Sequence, residues 1–246
     1  MSRSSAWSAE RRHAILELDD LRIELGEFRL RADLRVEAGA RVAVIGPSGA
    51  GKSTLLGAIA GFVPLAGGTI SWRGARIDTR PPAERPLSIL FQDNNLFPHL
   101  SVFDNVALGI NPSLRLRADQ REDVEQALAR TGLEELSARK PAELSGGQIS
   151  RAGLARVLLR ARPLILLDEP FAALGPALKR DMLALVAEIA DEQGATLLMI
   201  THDPADALRI CPQTIVVARG AASAPADTKA LVAAPPPELA AYLGTG

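Results

Sequence analysis

The chemistry of this chain begins with nine consecutive residues, Gly46-Pro47-Ser48-Gly49-Ala50-Gly51-Lys52-Ser53-Thr54. The glycines let a backbone curl around an anion without side chains in the way. Successive amides, and the start of the helix that follows, aim positive dipole at that anion. The Lys52 ammonium can reach the β- and γ-phosphates of a nucleoside triphosphate, and the Ser53 hydroxyl suits a magnesium ion. Such a loop needs an acid near its metal, and Leu164-Ile-Leu-Leu-Asp168-Glu169 offers two. Four apolar residues bury a strand there, and the carboxylates emerge at its C-terminal end, where open α/β sheets hold ligands. Asp168 is the candidate for holding Mg²⁺ through water. Glu169 is the candidate general base that orients and polarises an attacking water.

A third segment, Leu144-Ser145-Gly146-Gly147-Gln148, opens a helical stretch that runs to Leu159. A serine and two glycines at a helix start make a second anion-binding terminus, and they also make an ordinary N-cap. One nucleotide on one chain does not obviously need two such loops. Gln92, after the apolar run Leu87–Phe91, and His202, after the run Thr196–Ile200, are each unremarkable alone: a surface glutamine and a structural histidine.

The elements that must position these groups follow from periodicity. Alternating segments at Leu16–Leu18 and Leu30–Val36 predict antiparallel strands with a turn near Gly26. The run Arg41–Ile45, the glycine loop and the helical pattern Lys52–Ile59 form a βα unit. From about Gln92 to Arg160 the chain turns polar and helical, with an amphipathic helix over Asp119–Arg130 whose Val124, Ala127 and Leu128 share a face. From Arg162 the βαβ rhythm resumes: a strand at Leu164–Leu167, a helix at Ala177–Ala190 and strands at Thr196–Ile200 and Thr214–Ala218. The Ala/Pro-rich tail from Gly220 reads first as a surface loop, with a short helix near Glu238–Leu243. Residues 1–13 read as an N-terminal extension that is not a secretory signal.

Composition narrows the function classes. Hydrophobic residues make up 47% of 246, enough for a sizeable core. A formal net charge of −1 gives no electrostatic case for nucleic acid or an anionic membrane surface. The single cysteine, Cys211, allows no intrachain disulfide and fits a reducing compartment. No apolar run approaches the roughly 18 residues of a membrane-spanning helix, so service to a membrane needs a partner.

The pentapeptide at Leu144–Gln148 and the order of the motifs resemble the ABC ATPase family, over about residues 14–220. The resemblance implies an α/β P-loop NTPase core of ABC ATPase type, with an N-terminal antiparallel β subdomain and an inserted helical subdomain at about 92–160. It implies ATP and Mg²⁺ as ligands. It also implies a homodimer in which the phosphate loop of one subunit and Ser145, Gly146, Gly147 and Gln148 of the other close on a shared ATP. Gln92 resembles the glutamine that senses Mg²⁺ and water and meets a transmembrane partner. His202 resembles the histidine that contacts the γ-phosphate.

Three positions depart from the family pattern. Gly175 stands where an aspartate usually helps couple the two ATP sites. Leu25, aligned on Gly39, stands where an aromatic residue usually stacks on adenine, with Phe28 as a less favoured substitute. Ile149 stands where a polar or basic residue is usual. The segment from Phe91-Gln92 through Asn94-Asn95-Leu96-Phe97 to Val102, together with Glu169–Leu174 and Pro176-Ala-Leu, resembles the ATP-binding subunits of bacterial thiamine importers. That implies permease subunits, a periplasmic solute-binding protein and a place on the cytoplasmic face of the inner membrane. Importers of sulfate, ferric iron or polyamines, and ABC ATPases without a membrane partner, are the alternatives.

Overall fold

The computed structural model describes residues 14–92, 96–237 and 239–240. In chain order, β1 (Ala14–Leu25), β2 (Phe28–Glu37), β3 (Arg41–Ile45), α1 (Lys52–Ala60), β4 (Gly67–Trp72) and β5 (Ala75–Arg76) come first. Next follow β6 (Leu87–Leu90), α2 (Val102–Ala107), α3 (Ala118–Arg130), α4 (Gly146–Leu159), β7 (Leu164–Asp168) and α5 (Pro176–Glu192). Last are β8 (Thr196–Ile200), α6 (Pro204–Ile210), β9 (Gln213–Ala218), β10 (Ala221–Ala222), β11 (Ala226–Asp227) and α7 (Thr228–Ala233). The chain divides into two compact units, one of residues up to Pro86 and from Gly194 on, the other of Leu87–Gln193. Among the described residues no helix is long and apolar enough to cross a membrane.

In the first unit, β1 and β2 pair antiparallel through a two-residue turn that sets Leu25 opposite Phe28. Gly26, at φ +61°, takes the left-handed position such a turn demands. Alternation sends Leu30, Ala32, Leu34 and Val36 inward and arginines outward, as a sheet with one buried face requires. β4 adds to β1, and β5 to β4. β3 is different: Val42, Ala43, Val44 and Ile45 are all buried, because β8 and β9 flank it in parallel.

The tail departs from expectation. Where the sequence predicts a surface loop after Gly220, β10 pairs with both β2 and β9, and β11 pairs with β9. Asp227 then caps α7 by accepting from Ala230 N–H at 2.8 Å. Buried Thr228 bonds Cys211 O at 2.6 Å and shares a 2.8 Å hydroxyl contact with Thr214. Alanine carries little strand propensity, so pairing rather than local preference makes these strands. Most of the helix expected over Glu238–Leu243 lies outside the described residues.

In the second unit, β6 and β7 are parallel, with Leu90 opposite Leu167. Helices α2, α3 and α4 share a core of Val102, Val106, Val124, Leu128, Leu133, Ala152 and Ala155. Val124 and Leu128 supply the buried face of α3, with Ala127 partly buried beside it. Fully buried Asn105 satisfies the irregular turn ahead of α2. It accepts from Phe97 N–H at 2.7 Å and donates to Phe97 O, Leu100 O and Ser101 O.

Candidate nucleotide site

The first unit holds the phosphate loop at the C-terminal end of β3. Gly46 is at φ +150°, and a Cβ there would lie 2.0 Å from Val217 O of neighbouring β9. Gly51 is at φ +101°, and a Cβ there would meet the Phe28 ring at 2.4 Å. Both glycines are therefore fixed by what presses on them. Lys52 is 5% exposed and its Nζ donates to Gly46 O at 2.8 Å and Pro47 O at 2.9 Å, closing the loop on itself. Gly51 caps α1 in the left-handed conformation with no side-chain hydrogen bond, which leaves the helix amides facing the loop interior for an anion. Ser53 is exposed on the first turn and Thr54 half-buried.

Two further groups border this loop. Thr201 N–H donates to Val44 O at 3.4 Å, so the next residue, exposed His202, leaves β8 at the same end of the sheet as Gly46. Thr201 also donates to Asp206 at 3.0 Å, and Asp203 caps α6 by accepting from Ala205 N–H at 2.9 Å, which fixes the corner that carries the imidazole. Leu25 is 44% exposed. Half-buried Phe28 sets its ring against Gly51 of the glycine loop, and the strand pattern alone could not show that contact.

Sequence reasoning missed Arg85. It is 5% exposed and donates to Ala58 O and Ile59 O at 2.8 and 2.7 Å, and to Asp78 O and Arg80 O at 3.1 Å. Burial pushes this guanidinium below its ordinary pKa, with Asp78 acting in the opposite sense. Ala58 and Ile59 lie in the last turn of α1, so Arg85 answers carbonyls at the end where the helix dipole is negative. A lone arginine in a Pro-rich stretch gives no sequence signal of this.

The second unit holds the carboxylates. Asp168 ends β7 and is 4% exposed, and half-buried Glu169 follows at φ +48°. That left-handed backbone costs a residue with a Cβ about 1–2 kcal/mol, and such strain concentrates where a side chain must be aimed. Exposed Gln92 lies two residues beyond β6, the parallel neighbour of β7, so it leaves the sheet at the same end as Glu169. Asn94 and Asn95 lie outside the described residues.

Ser145 is the N-cap of α4. It accepts from Gln148 N–H at 3.3 Å while Gln148 Oε1 accepts from Ser145 N–H at 2.8 Å, a complete capping box. A Cβ on Gly147 would meet Leu174 Cδ2 at 2.9 Å, so the turn after Glu169 packs against this helix start. Leu144 and Ile149, both half-buried, occupy the two positions of a hydrophobic staple, a physical use for the unusual Ile149. Gly175 caps α5 with no side-chain bond, at φ −67° and with open space around its would-be Cβ. Nothing in the fold requires a glycine there.

The hard oxygen donors Ser53 and Asp168 are of the type Mg²⁺ selects. Among the described residues no group of three His, Cys, Asp or Glu side chains could hold a metal unaided. Each unit by itself thus offers one such donor, and Mg²⁺ usually takes most of its ligands from phosphate oxygens and water.

The family model for ABC transporters matches residues 30–172. The thiamine import ATP-binding protein of Cereibacter sphaeroides is 61% identical over 230 residues, spanning 94% of this chain and all of that protein. Its counterpart from Ruegeria sp. strain TM1040 is 58% identical over the same spans, and that of Salmonella typhimurium is 51% identical over 206 residues, covering 84% of this chain and 88% of that protein. Among solved structures, a nucleotide-free ATP-binding cassette from an ABC transporter superposes with a TM-score of 0.81 at 25% identity, covering 93% of this chain and 98% of that one. The dimeric cassette MJ0796 bound to ADP and Pi, a post-hydrolysis state, gives 0.76 at 27% identity, covering 87% and 99%.

Proposed function

This chain belongs to the ABC transporter family, and we propose that it is the ATP-hydrolysing subunit of a bacterial thiamine importer. The observation that carries the cargo is the 61% identity over the full length of a thiamine import ATP-binding protein. The dimeric state of one solved relative supports a working pair of copies. In the proposed assembly that pair sits on the cytoplasmic face of the inner membrane, against permease subunits that receive thiamine from a periplasmic solute-binding protein.

Each residue has a role in this reading. Residues 46–54 wrap the triphosphate with backbone amides, and Lys52 exchanges its bonds to Gly46 O and Pro47 O for phosphate oxygens. Phe28 and Leu25 offer apolar surface to the base. Ser53 and Asp168 would hold Mg²⁺, with Gln92 as a further candidate ligand, and the bound ion would supply positive charge to offset that of the phosphates. Glu169 orients the attacking water and accepts its proton, and His202 donates a hydrogen bond to the γ-phosphate. Ser145, Gly146, Gly147 and Gln148 of the second copy close over the nucleotide. Hydrolysis then releases them, and the change reaches the permease beside Gln92.

The test is uptake. A strain stripped of its own thiamine-import ATPase, with permease and binding protein intact, should regain labelled thiamine uptake on receiving this chain and not on receiving Lys52→Ala. Failure for thiamine, with restored uptake of sulfate, ferric iron or a polyamine in the matching strain, would overturn the cargo while leaving the ATPase.

A further inference from the structure

We propose that the second unit carries a separate binding site for a small organic phosphate, in a cavity at the C-terminal end of α4. The cavity measures about 720 Å³, within the size range of small-molecule sites. Its lining joins four guanidinium groups, Arg117, Arg130, Arg160 and Arg162, to apolar side chains that include Leu158 and Ile189. None of its lining residues belongs to the phosphate loop, the β7 carboxylates or the Ser145 segment.

The arginines differ in what already holds them. Arg130 is paired with Glu188 at 2.9 Å and Glu192 at 3.1 Å, and Arg117 with Asp119 at 2.7 Å. Asp123, the acidic residue of the lining, acts on Arg117. Among the described residues neither Arg160 nor Arg162 has a carboxylate partner. The two repel one another instead: burial, and then Arg162, push the Arg160 guanidinium below its ordinary pKa, and burial and Arg160 do the same to Arg156. Dipole compensation at the end of α4 does not account for this crowding, because a helix C-terminus presents only about half a negative charge. Ala161, at φ +48°, is a non-glycine residue in a left-handed turn, and it fixes the step from Arg160 to Arg162.

Two guanidiniums with planar donor forks suit a phosphate, and the aliphatic lining beside them suits a ligand with a small hydrophobic body. Phenyl phosphate has both parts, while inorganic phosphate and phenol each have one. Calorimetric titration of the full chain, with saturating ADP to fill the phosphate loop, should show phenyl phosphate binding at least about tenfold tighter than either fragment. Arg160→Glu with Arg162→Glu should weaken it about 100-fold, and Arg160→Lys with Arg162→Lys about tenfold, since lysine keeps the charge and loses the fork. Thermal melts confirm folding, and Arg162→Glu alone serves if the pair does not fold. Undiminished binding to the charge-reversed chain overturns the site. So does phenol or inorganic phosphate binding as tightly as phenyl phosphate.

Discussion

Two helices in this chain start on glycine-rich turns, and they treat their first amides in opposite ways. At α1 the cap is Gly51, which has no side chain to give, so the amides of the first turn face the loop that Lys52 closes. At α4 the cap is Ser145, and its capping box with Gln148 already engages two of the amides. The glycines differ in the same way. Gly46 is enforced by the backbone oxygen of Val217, whereas Gly147 is approached by the flexible end of Leu174. A terminus that cannot satisfy itself leaves its amides open to an anion. One that caps itself is stable without an anion and must exchange its own bonds to receive one, which suits a contact made and broken in each cycle.

This contrast ranks the mutations. Gly46→Ala should be the most damaging, because a Cβ 2.0 Å from a backbone oxygen at φ +150° cannot be relieved by a rotamer change. A loss of about 3 kcal/mol or more is expected, read as a large fall in the thermal midpoint together with loss of ATP binding. A near-normal melt would mean that the β9 contact does not fix the loop.

Lys52→Ala should follow, lowering ATP turnover by about 10²–10³-fold, measured by phosphate release. Ser145→Ala should act on the other helix: about 1 kcal/mol of stability lost with the cap, and a midpoint lower by about 2–4 °C. The ATP affinity of the single chain should stay within about twofold of the parent while dimer-dependent hydrolysis falls. If single-chain affinity drops as far as in Lys52→Ala, the two termini are not different in kind.

Gly175→Asp should have the smallest effect. It fits without a clash and adds a carboxylate cap to α5, a gain of about a few tenths of a kcal/mol. Turnover should rise or hold steady, and a fall would show that the glycine is needed.

How well each part could be foreseen tracks how local its cause is. The strand, loop and helix around Lys52 were legible because glycine conformation and apolar runs are written in adjacent residues. The capping box was also present as Ser145-x-x-Gln148, yet beside two glycines it reads as an anion site, and only coordinates show the amides engaged. Phe28 over Gly51, Arg85 on the end of α1 and Asn105 under the Phe97 turn are contacts between residues 8 to 27 positions apart, which periodicity does not encode. The strands at Ala221–Ala222 and Ala226–Asp227 were hidden for the opposite reason: alanine states no preference, and the neighbouring strands decide.

The central claim is that ATP held at Lys52 of one copy is closed over by the Ser145 helix start of another. The most direct measurement is a structure of the Glu169→Gln chain trapped with ATP and Mg²⁺. A symmetric dimer is expected, with Ser145 Oγ and the first amides of α4 within hydrogen-bonding distance of the γ-phosphate bound by the partner copy. A triphosphate on Lys52 with the Ser145 capping box intact and turned to solvent would contradict it.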